Sequence, residues 1–269
     1  MNIGLGTYAL AWSIGVPSNM PEKPMDIFGF LQFAANHGFE LVQIADNLPL
    51  IHFSKAELQD IKSHASHHNI TIEVGTRGLM VENIIEHIRI ARALGAHLLR
   101  IVIDQQGYEP KLSEIHAILR QVIPELEQSN IRLAIENHDR FKAREFREII
   151  DQAYSSFVGI CLDPANSLGA DEGFETVFEM LRPVTINFHL KDYTIRRKPH
   201  MMGFDIVGTP AGQGRLPIRH VVNMLESIGR CHSMILELWP PPEADIESTI
   251  KKEHEWVQES ARYLFEHFN

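Results

Sequence analysis

Short apolar runs alternate along the chain with segments in which apolar residues recur at helical spacing. Apolar runs bounded by turn residues are typical of buried strands, and a 3.6-residue period is typical of helices that cover a sheet. The alternation predicts eight strand-helix units. The strands are expected near residues 3–6, 39–44, 70–75, 98–103, 132–136, 158–163, 184–190 and 233–237.

Helix start and stop signals fall between these strands. Ser54 and Glu57 have the spacing of a capping box, which predicts a helix that begins at this point. Gly38 and Gly95 each follow a helical segment and are expected to end it. The last helix is expected over residues 246–267, as an outer helix of the domain.

Eight such units in 269 residues predict an α/β protein, a single (β/α)8 TIM barrel that spans residues 1–269 as one domain. The alternative is an open doubly wound sheet, which usually carries a glycine-rich phosphate loop after its first strand. The segment there, Gly4-Leu-Gly6-Thr-Tyr-Ala, lacks the third glycine of that motif. The sequence therefore favours the barrel, with its active site at the carboxyl ends of the strands.

The composition limits the kinds of partner that the protein is expected to bind. The net charge of -10 gives no electrostatic support for binding a nucleic acid, so a small molecule is the expected partner. Two cysteines make no disulfide framework, and no apolar stretch approaches the length of a membrane span. These features predict a soluble cytoplasmic protein with no membrane partner, and they leave homo-oligomer formation open.

Four side chains of the kind that bind metals each end a predicted strand: Glu136, Asp163, His189 and Glu237. The gaps between them are 27, 26 and 48 residues, which matches repeated strand-helix units with one longer loop. We therefore expect them at one end of the barrel as one metal site. Three carboxylates and one imidazole favour one divalent cation, Mn²⁺ first, with Mg²⁺ or Co²⁺ as alternatives. Any one acidic residue alone is equally well explained as a helix cap or an ion pair.

A divalent cation with two free positions can bind vicinal substrate oxygens and stabilise an enediolate. Glu136 and Glu237 are then the candidate catalytic base and acid. One reaction class is an isomerase or epimerase of a small keto sugar or sugar acid. The alternative class is a lyase, either a decarboxylase of an oxo sugar acid or a dehydratase. A non-catalytic sugar-binding barrel is a third, less favoured alternative, because converging carboxylates repel one another without a cation.

The motifs around these residues resemble the xylose-isomerase-like TIM barrel superfamily over essentially the whole chain. They are Ile-Glu136-Asn-His, Cys-Leu-Asp163-Pro-Ala-Asn166, His189-Leu-Lys191-Asp192, Gly212-Gln-Gly214 and Leu-Glu237-Leu-Trp239. This superfamily contains sugar isomerases, ketose 3-epimerases, inosose dehydratases and apurinic endonucleases. The resemblance implies that Glu136, Asp163, His189 and Glu237 bind one divalent metal and that the two glutamates transfer protons. It also extends to decarboxylases of an oxo sugar acid such as 3-oxo-isoapionate.

The chain departs from two members of the superfamily. The apurinic endonucleases build a trinuclear zinc site with further histidines, whereas Thr76, Arg77 and Asp104 stand at the ends of strands three and four. Asn166 stands where the endonucleases and the ketose epimerases have histidine. A mononuclear site is therefore expected.

Residues two apart on a strand face the same side, which predicts the neighbours of the metal site. The candidates for substrate binding are Arg77, His138, Arg140, Asn166, Lys191 and Trp239. The basic residues among them predict a cationic pocket for a sugar acid, in which Arg77 engages a carboxylate through two hydrogen bonds. The alternative is that Lys191 and Arg140 compensate the metal-bound carboxylates.

Two further features of the sequence lead to predictions, a charged residue within an apolar run and a long connection. Arg100 lies within an apolar run, so we expect it inside the barrel as a structural ion pair with Glu73. Residues 192–217 have no clear periodicity and form a longer connection than barrels usually contain. We interpret this segment as a lid over the metal, with an oligomer contact as the alternative.

Overall fold

The computed structural model describes residues 1–17 and 19–268. Eight parallel strands close into a barrel in which the first strand pairs with both the second and the last. The predicted single (β/α)8 barrel is therefore confirmed. The strands are β1 Asn2–Gly6, β2 Leu41–Ile44, β3 Thr71–Arg77, β4 Leu98–Val102, β5 Arg132–Glu136, β6 Val158–Leu162, β7 Thr185–Leu190 and β10 Ser233–Leu236.

Helices cover the outside of the barrel between these strands. They are α1 Ala11–Ile14, α2 Ile27–Asn36, α3 Lys55–His67, α4 Val81–Leu94, α5 Leu112–Ser129, α6 Ala143–Ala153, α7 Phe174–Leu181, α8 Ile218–Ile228 and α9 Ile246–Phe268. Short 3₁₀ turns lie at Thr7–Leu10, Leu50–His52, Asn166–Leu168 and Arg182–Val184. Within residues 1–17 and 19–268, no helix is long and apolar enough to cross a membrane.

The predicted local signals explain where helices begin and end. Ser54 Oγ accepts a hydrogen bond from the Glu57 backbone N–H, and Glu57 accepts one from the Ser54 N–H, so the capping box is confirmed. Gly95 ends α4 with φ 79°, a left-handed conformation in which a residue without a side chain is favoured. These caps fix the helix ends without help from the barrel interior.

The last helix, α9, lies on the outside of the barrel as expected and buries a charged side chain on its inner face. Its inward face includes the fully buried carboxylate of Glu253, which accepts hydrogen bonds from the backbone N–H groups of Trp12 and Ser13 and from the Ser13 hydroxyl. The helix is therefore joined to α1 by a buried polar contact as well as by apolar packing. Leu264 is buried on this face as well, whereas Ile250, Trp256 and Tyr263 are only partly buried.

The segment 192–217 contains regular structure that its sequence does not predict. Strands β8 Tyr193–Arg197 and β9 Phe204–Gly208 pair as an antiparallel hairpin outside the barrel. Met201 and Met202 at its tip are exposed. Period-two alternation is hard to recognise here because neither face of the hairpin is fully buried. The lid role of this segment stays a prediction.

The base of the hairpin is held by the side chain of Asp192. Its carboxylate accepts hydrogen bonds from four backbone N–H groups, those of Tyr193, Gly212, Gly214 and Leu216. A Cβ atom at position 214 would lie 2.0 Å from Asp192 Oδ1, so only glycine fits there. The two glycines of the Gly212-Gln-Gly214 motif therefore allow the backbone to approach and hydrogen-bond the Asp192 carboxylate.

Candidate metal centre

The four predicted metal ligands lie together at the carboxyl end of the barrel. Glu136 is the last residue of β5, His189 lies near the end of β7, and Asp163 and Glu237 directly follow β6 and β10. All four side chains are buried, at 2% exposure or less. Parallel strands explain this convergence, because their carboxyl ends meet on one side of the barrel.

His189 is at the centre of the cluster. Its Nδ1 lies 3.3 Å from Glu237 Oε1, 3.5 Å from Glu136 Oε2 and 4.0 Å from Asp163 Oδ2. Among the described residues, this buried nitrogen has no hydrogen-bond partner. A ring nitrogen without a partner that faces three carboxylate oxygens is the arrangement that a divalent cation requires. The donor set therefore fits a single hard or borderline cation.

Cys161 lies close enough to Glu136 and His189 to be considered as a ligand. Its Sγ donates a hydrogen bond to Asn187 Oδ1 at 3.0 Å, and burial raises the pKa of the thiol well above its usual value. Three carboxylates outnumber this one thiol, so the cluster keeps the oxygen-rich character that the sequence predicts.

Asp163 is fixed by the chain that follows it. Its Oδ1 accepts hydrogen bonds from the backbone N–H groups of Ala165 at 2.7 Å and Asn166 at 2.8 Å, while Oδ2 faces the cluster. The side chain of Asn166 donates to Glu136 Oε1 at 2.7 Å. Asn166, predicted to bind substrate, therefore contacts a candidate ligand in this structure.

Lys191 enters the same cluster from the end of β7. Its Nζ lies 3.1 Å from Glu237 Oε2 and 3.3 Å from Asp163 Oδ2. Burial alone would raise the pKa of Glu237, but its neighbours His189, Lys191 and Arg100 outweigh that effect and lower the pKa to about 2. Lys191 thus contacts two candidate ligands in this structure, and its role in substrate binding stays a prediction.

The predicted ion pair between Arg100 and Glu73 is wrong. Arg100 Nε donates instead to Glu136 Oε2, and Nη1 donates to Asp46 Oδ1 at 3.2 Å. Arg100 pairs in register with Gly75, two residues beyond Glu73, so its guanidinium lies nearer the carboxyl end. Arg100 therefore belongs to the candidate site.

Asp46 is a residue that the sequence interpretation missed. It lies two residues after β2 and contacts Tyr8 Oη at 3.0 Å, Arg77 Nε at 3.0 Å and Arg100. An acidic residue just beyond a strand end is the signal that identified Asp163 and Glu237, and Asp46 shows it too. Asp46 thus connects the mouth of the barrel to the cluster.

His138 and Arg140 follow Glu136 in the chain, and each has an acidic neighbour. Arg140 Nε donates to Asp104 Oδ2 at 2.7 Å, and its second amino group donates to Asp104 Oδ1. His138 Nδ1 lies 2.6 Å from Asp139 Oδ1. With Arg77, Gln105 and Glu109, these residues line an open cavity of about 410 Å³. The charges in this cavity are paired, so it is less cationic than the sequence suggests.

Trp239 is half-buried two residues after Glu237. Its indole N–H donates to the Asp192 carbonyl at 3.4 Å, and a Cβ at Gly208 would lie 2.5 Å from the ring. The ring therefore packs against the base of the β8–β9 hairpin, beside the mouth of the barrel.

A closed parallel barrel with buried carboxylates and a histidine at its carboxyl end defines a class of (β/α)8-barrel enzymes. The chain belongs to the xylose isomerase-like TIM barrel family, whose family model matches residues 31–266.

Two kinds of similarity accompany the family match. The chain is 33% identical over 265 residues to a 3-oxo-isoapionate decarboxylase of Pectobacterium atrosepticum, covering 98% of this chain and 95% of that protein. Its fold is similar to that of a D-psicose 3-epimerase, with TM-score 0.72, 16% identity and 98% coverage of both chains. A Mycobacterium smegmatis barrel protein in complex with magnesium matches with TM-score 0.70 and 12% identity, over 98% of this chain and 97% of that chain.

Proposed function

We propose that this protein is a divalent-metal-dependent lyase that decarboxylates a small 3-oxo sugar acid. The observation that carries the proposal is that both candidate catalytic glutamates are hydrogen-bonded to cationic side chains. Arg100 donates to Glu136, and Lys191 donates to Glu237 at 3.1 Å. The 33% identity to a 3-oxo-isoapionate decarboxylase supports the same reaction class.

The hydrogen bonds that the two glutamates accept favour one reaction class, decarboxylation, over the other, epimerisation. An epimerase removes a carbon-bound proton, and a carboxylate oxygen that accepts no hydrogen bond from a cation is the stronger base for this step. Decarboxylation requires no base, because the electrons of the broken carbon-carbon bond leave the carboxyl group and pass into the ketone. Arg100 and Lys191 occupy oxygens of Glu136 and Glu237 with hydrogen bonds and add positive charge to the site, which suits a reaction that develops negative charge on a ketone. The arrangement therefore favours loss of carbon dioxide.

Glu136, Asp163, His189 and Glu237 would hold the metal ion. When bound, a divalent cation stabilises the negative charge that develops on the substrate oxygens. In the reaction, the bond between the carboxyl carbon and C2 breaks, carbon dioxide leaves, and C2 takes up one proton. Lys191 Nζ lies at the mouth side of the cluster with its side chain 16% exposed, so it adds positive charge where the substrate enters.

The cavity lined by Arg77, His138 and Arg140 would receive the remainder of the substrate. Arg77 contacts Asp46 through Nε, and its side chain is 40% exposed and therefore accessible to a ligand. Paired arginine and aspartate side chains offer both donors and acceptors, as sugar hydroxyls require. This cavity supports a hydroxylated substrate with one acidic group.

The experiment that tests the proposal follows carbon-13 and deuterium together. The Mn²⁺- or Mg²⁺-loaded protein is incubated in D₂O with a 3-oxo sugar acid labelled in its carboxyl carbon, and in parallel with pooled keto sugars. Labelled carbon dioxide released faster than without protein supports the lyase. Deuterium exchange next to a ketone without carbon loss would instead assign an isomerase or epimerase.

The experiment includes two matched variants, because 3-oxo acids also lose carbon dioxide without a catalyst. Glu136→Gln removes the charge of a candidate ligand and should reduce release to the uncatalysed rate. Glu148→Gln makes the same change on the exposed face of α6 and should leave the rate unchanged. Equal rates in the two variants would overturn the proposal.

A further inference from the structure

A series of buried polar side chains crosses the barrel interior beneath His189. It joins Glu73 of β3, Gln43 of β2 and Asn187 of β7 to the imidazole ring. All four side chains are buried, and the proposed reaction uses none of the first three. Buried polar groups must satisfy one another, so the identity of each donor and acceptor determines the orientation of the next group.

Glu73 fixes the orientation of the Gln43 amide. Its Oε2 accepts hydrogen bonds from Gln43 Nε2 at 3.0 Å and from Asn187 Nδ2 at 3.2 Å. Only the nitrogen of an amide can donate to a carboxylate oxygen. If the Gln43 amide turned over, its oxygen would face the Glu73 carboxylate, which brings two acceptors together. Gln43 must therefore point its oxygen away from Glu73.

Gln43 in turn selects a ring nitrogen of His189. Its Oε1 lies 2.8 Å from His189 Nε2, and an amide oxygen can only accept a hydrogen bond. Nε2 must therefore carry a hydrogen. The other nitrogen, Nδ1, is the one that faces Glu136 and Glu237. The hydrogen bond at Nε2 thus leaves Nδ1 as the nitrogen that can bind a cation.

We propose that Glu73 and Gln43 are positioning residues that keep His189 Nε2 protonated and Nδ1 directed at the metal. The inference rests on the metal centre of the proposed function. In the hydrogen bonds of the described residues, Glu73 touches no candidate ligand, and among the candidate ligands Gln43 touches only His189. Glu73 therefore acts on the metal site through Gln43, from the interior of the barrel.

The test uses three variants. Glu73→Gln keeps the shape of the side chain but removes the charged one of the two acceptors of Gln43 Nε2, the other being Asn187 Oδ1 at 3.2 Å. The double variant Gln43→Glu/Glu73→Gln exchanges the two side chains, which moves the carboxylate next to His189 Nε2 and preserves the total charge. Ser233→Ala is the control for a change elsewhere in the network, because Ser233 accepts a 2.7 Å hydrogen bond from Asn187 and hydrogen-bonds to Glu73 but not to Gln43.

Two readouts separate positioning from general structural damage. In metal-free protein labelled with ¹⁵N-histidine, the ring N–H signals show which nitrogen of His189 carries a protected hydrogen, with His189→Asn providing the assignment. Titration calorimetry gives the Kd for Mn²⁺. We expect a protected Nε2–H in the wild type. Glu73→Gln should lose that protection and weaken Mn²⁺ binding by roughly 10- to 100-fold, the range typical for residues that orient a ligand.

The exchange variant should recover most of both signals, and Ser233→Ala should retain both. A wild-type Nε2 without a hydrogen would overturn the inference, whatever the variants do. A folded Glu73→Gln variant with wild-type protection and Kd would overturn it too. A wild type with a protected Nε2–H that binds neither Mn²⁺ nor Mg²⁺ would support the positioning of His189 and overturn the metal centre of the proposed function.

Discussion

Arg100 donates a hydrogen bond from Nε to Glu136 Oε2, with both side chains buried inside the barrel. The guanidinium also reaches Asp46, at 3.2 Å, and thereby links the mouth of the barrel to the candidate metal centre. An arginine keeps its charge at any physiological pH. Arg100 is therefore a permanent counter-charge for a cluster of three carboxylates.

Replacement of Arg100 by Met should destabilise the metal-free protein. Glu136 would keep its burial and lose its cation, and breaking a buried pair in this way typically costs about 3–5 kcal/mol of unfolding free energy. Urea denaturation measures the loss. Arg89→Met, which breaks an exposed pair with Glu86, should cost no more than about 1 kcal/mol. Equal losses of unfolding free energy in the two variants would show that the buried Arg100 pair stabilises the protein no more than an exposed pair does.

Mn²⁺ should raise the thermal stability of the wild type, and a chelator should reverse the effect. A ligand at 100 times its Kd stabilises a folded protein by about 2.7 kcal/mol. Calorimetry at several Mn²⁺ concentrations measures the shift in Tm. Asp163→Asn removes the charge of one candidate ligand and should show a smaller shift. The same shift in that variant would exclude Asp163 from the site.

The two glutamates should be about equally important for turnover. Glu136→Gln and Glu237→Gln should each lower kcat/KM by about 100-fold or more, on the scale typical for groups at the reacting centre. Steady-state rates of carbon dioxide release measure this loss. Near-normal turnover in either variant would remove that residue from the catalytic set, and circular dichroism would verify its fold.

Arg77→Ala should mainly affect substrate binding. Arg77 lies at the mouth and is anchored to Asp46 at 3.0 Å, so its loss should raise KM by roughly tenfold, equivalent to about 1.4 kcal/mol, with little change in kcat. Arg77→Lys retains the charge and tests the importance of the planar group. An unchanged KM for the acid in Arg77→Ala would count against this role.

Stability should fall between about pH 4.5 and 7 because of Glu253. Burial raises its pKa from 4.5 to about 7, although the hydrogen bonds from Trp12 and Ser13 oppose this change. A carboxyl with a raised pKa binds a proton more tightly in the folded state. Its stabilising effect is therefore complete below pH 4.5 and is lost as the pH rises through 7. Each tenfold gain in proton affinity on folding contributes about 1.4 kcal/mol at most.

Chemical denaturation of the wild type and of Glu253→Gln across this pH range provides the check. The variant does not titrate at this position, so its unfolding free energy should vary less with pH. Curves that remain parallel would show that Glu253 does not have the raised pKa.

The barrel and the convergence of the four ligands could be predicted because both depend on local pattern. A short apolar run that ends in Glu136 or Asp163 marks a strand and its carboxyl end at once. Parallel strands then bring those ends together, whatever the details of packing. The metal-binding and catalytic roles of these residues stay predictions.

The partners of the charged residues could not be predicted in the same way. Arg100 pairs with Glu136 because strand register places it beyond Glu73, and register is not visible in the composition of either strand. Asp46 was missed because it lies two residues past its strand. The hairpin of residues 193–208 was missed because it has no fully buried face to impose a clear alternation.

The four backbone hydrogen bonds accepted by Asp192 have a consequence for how this barrel can change over evolution. They fasten both ends of the hairpin segment to the scaffold, independently of what lies between them. A change in sequence or length at the exposed tip, around Met201 and Met202, should therefore leave the position of β7 and of His189 unchanged. The length of the hairpin can therefore change without rebuilding the carboxyl end of the barrel.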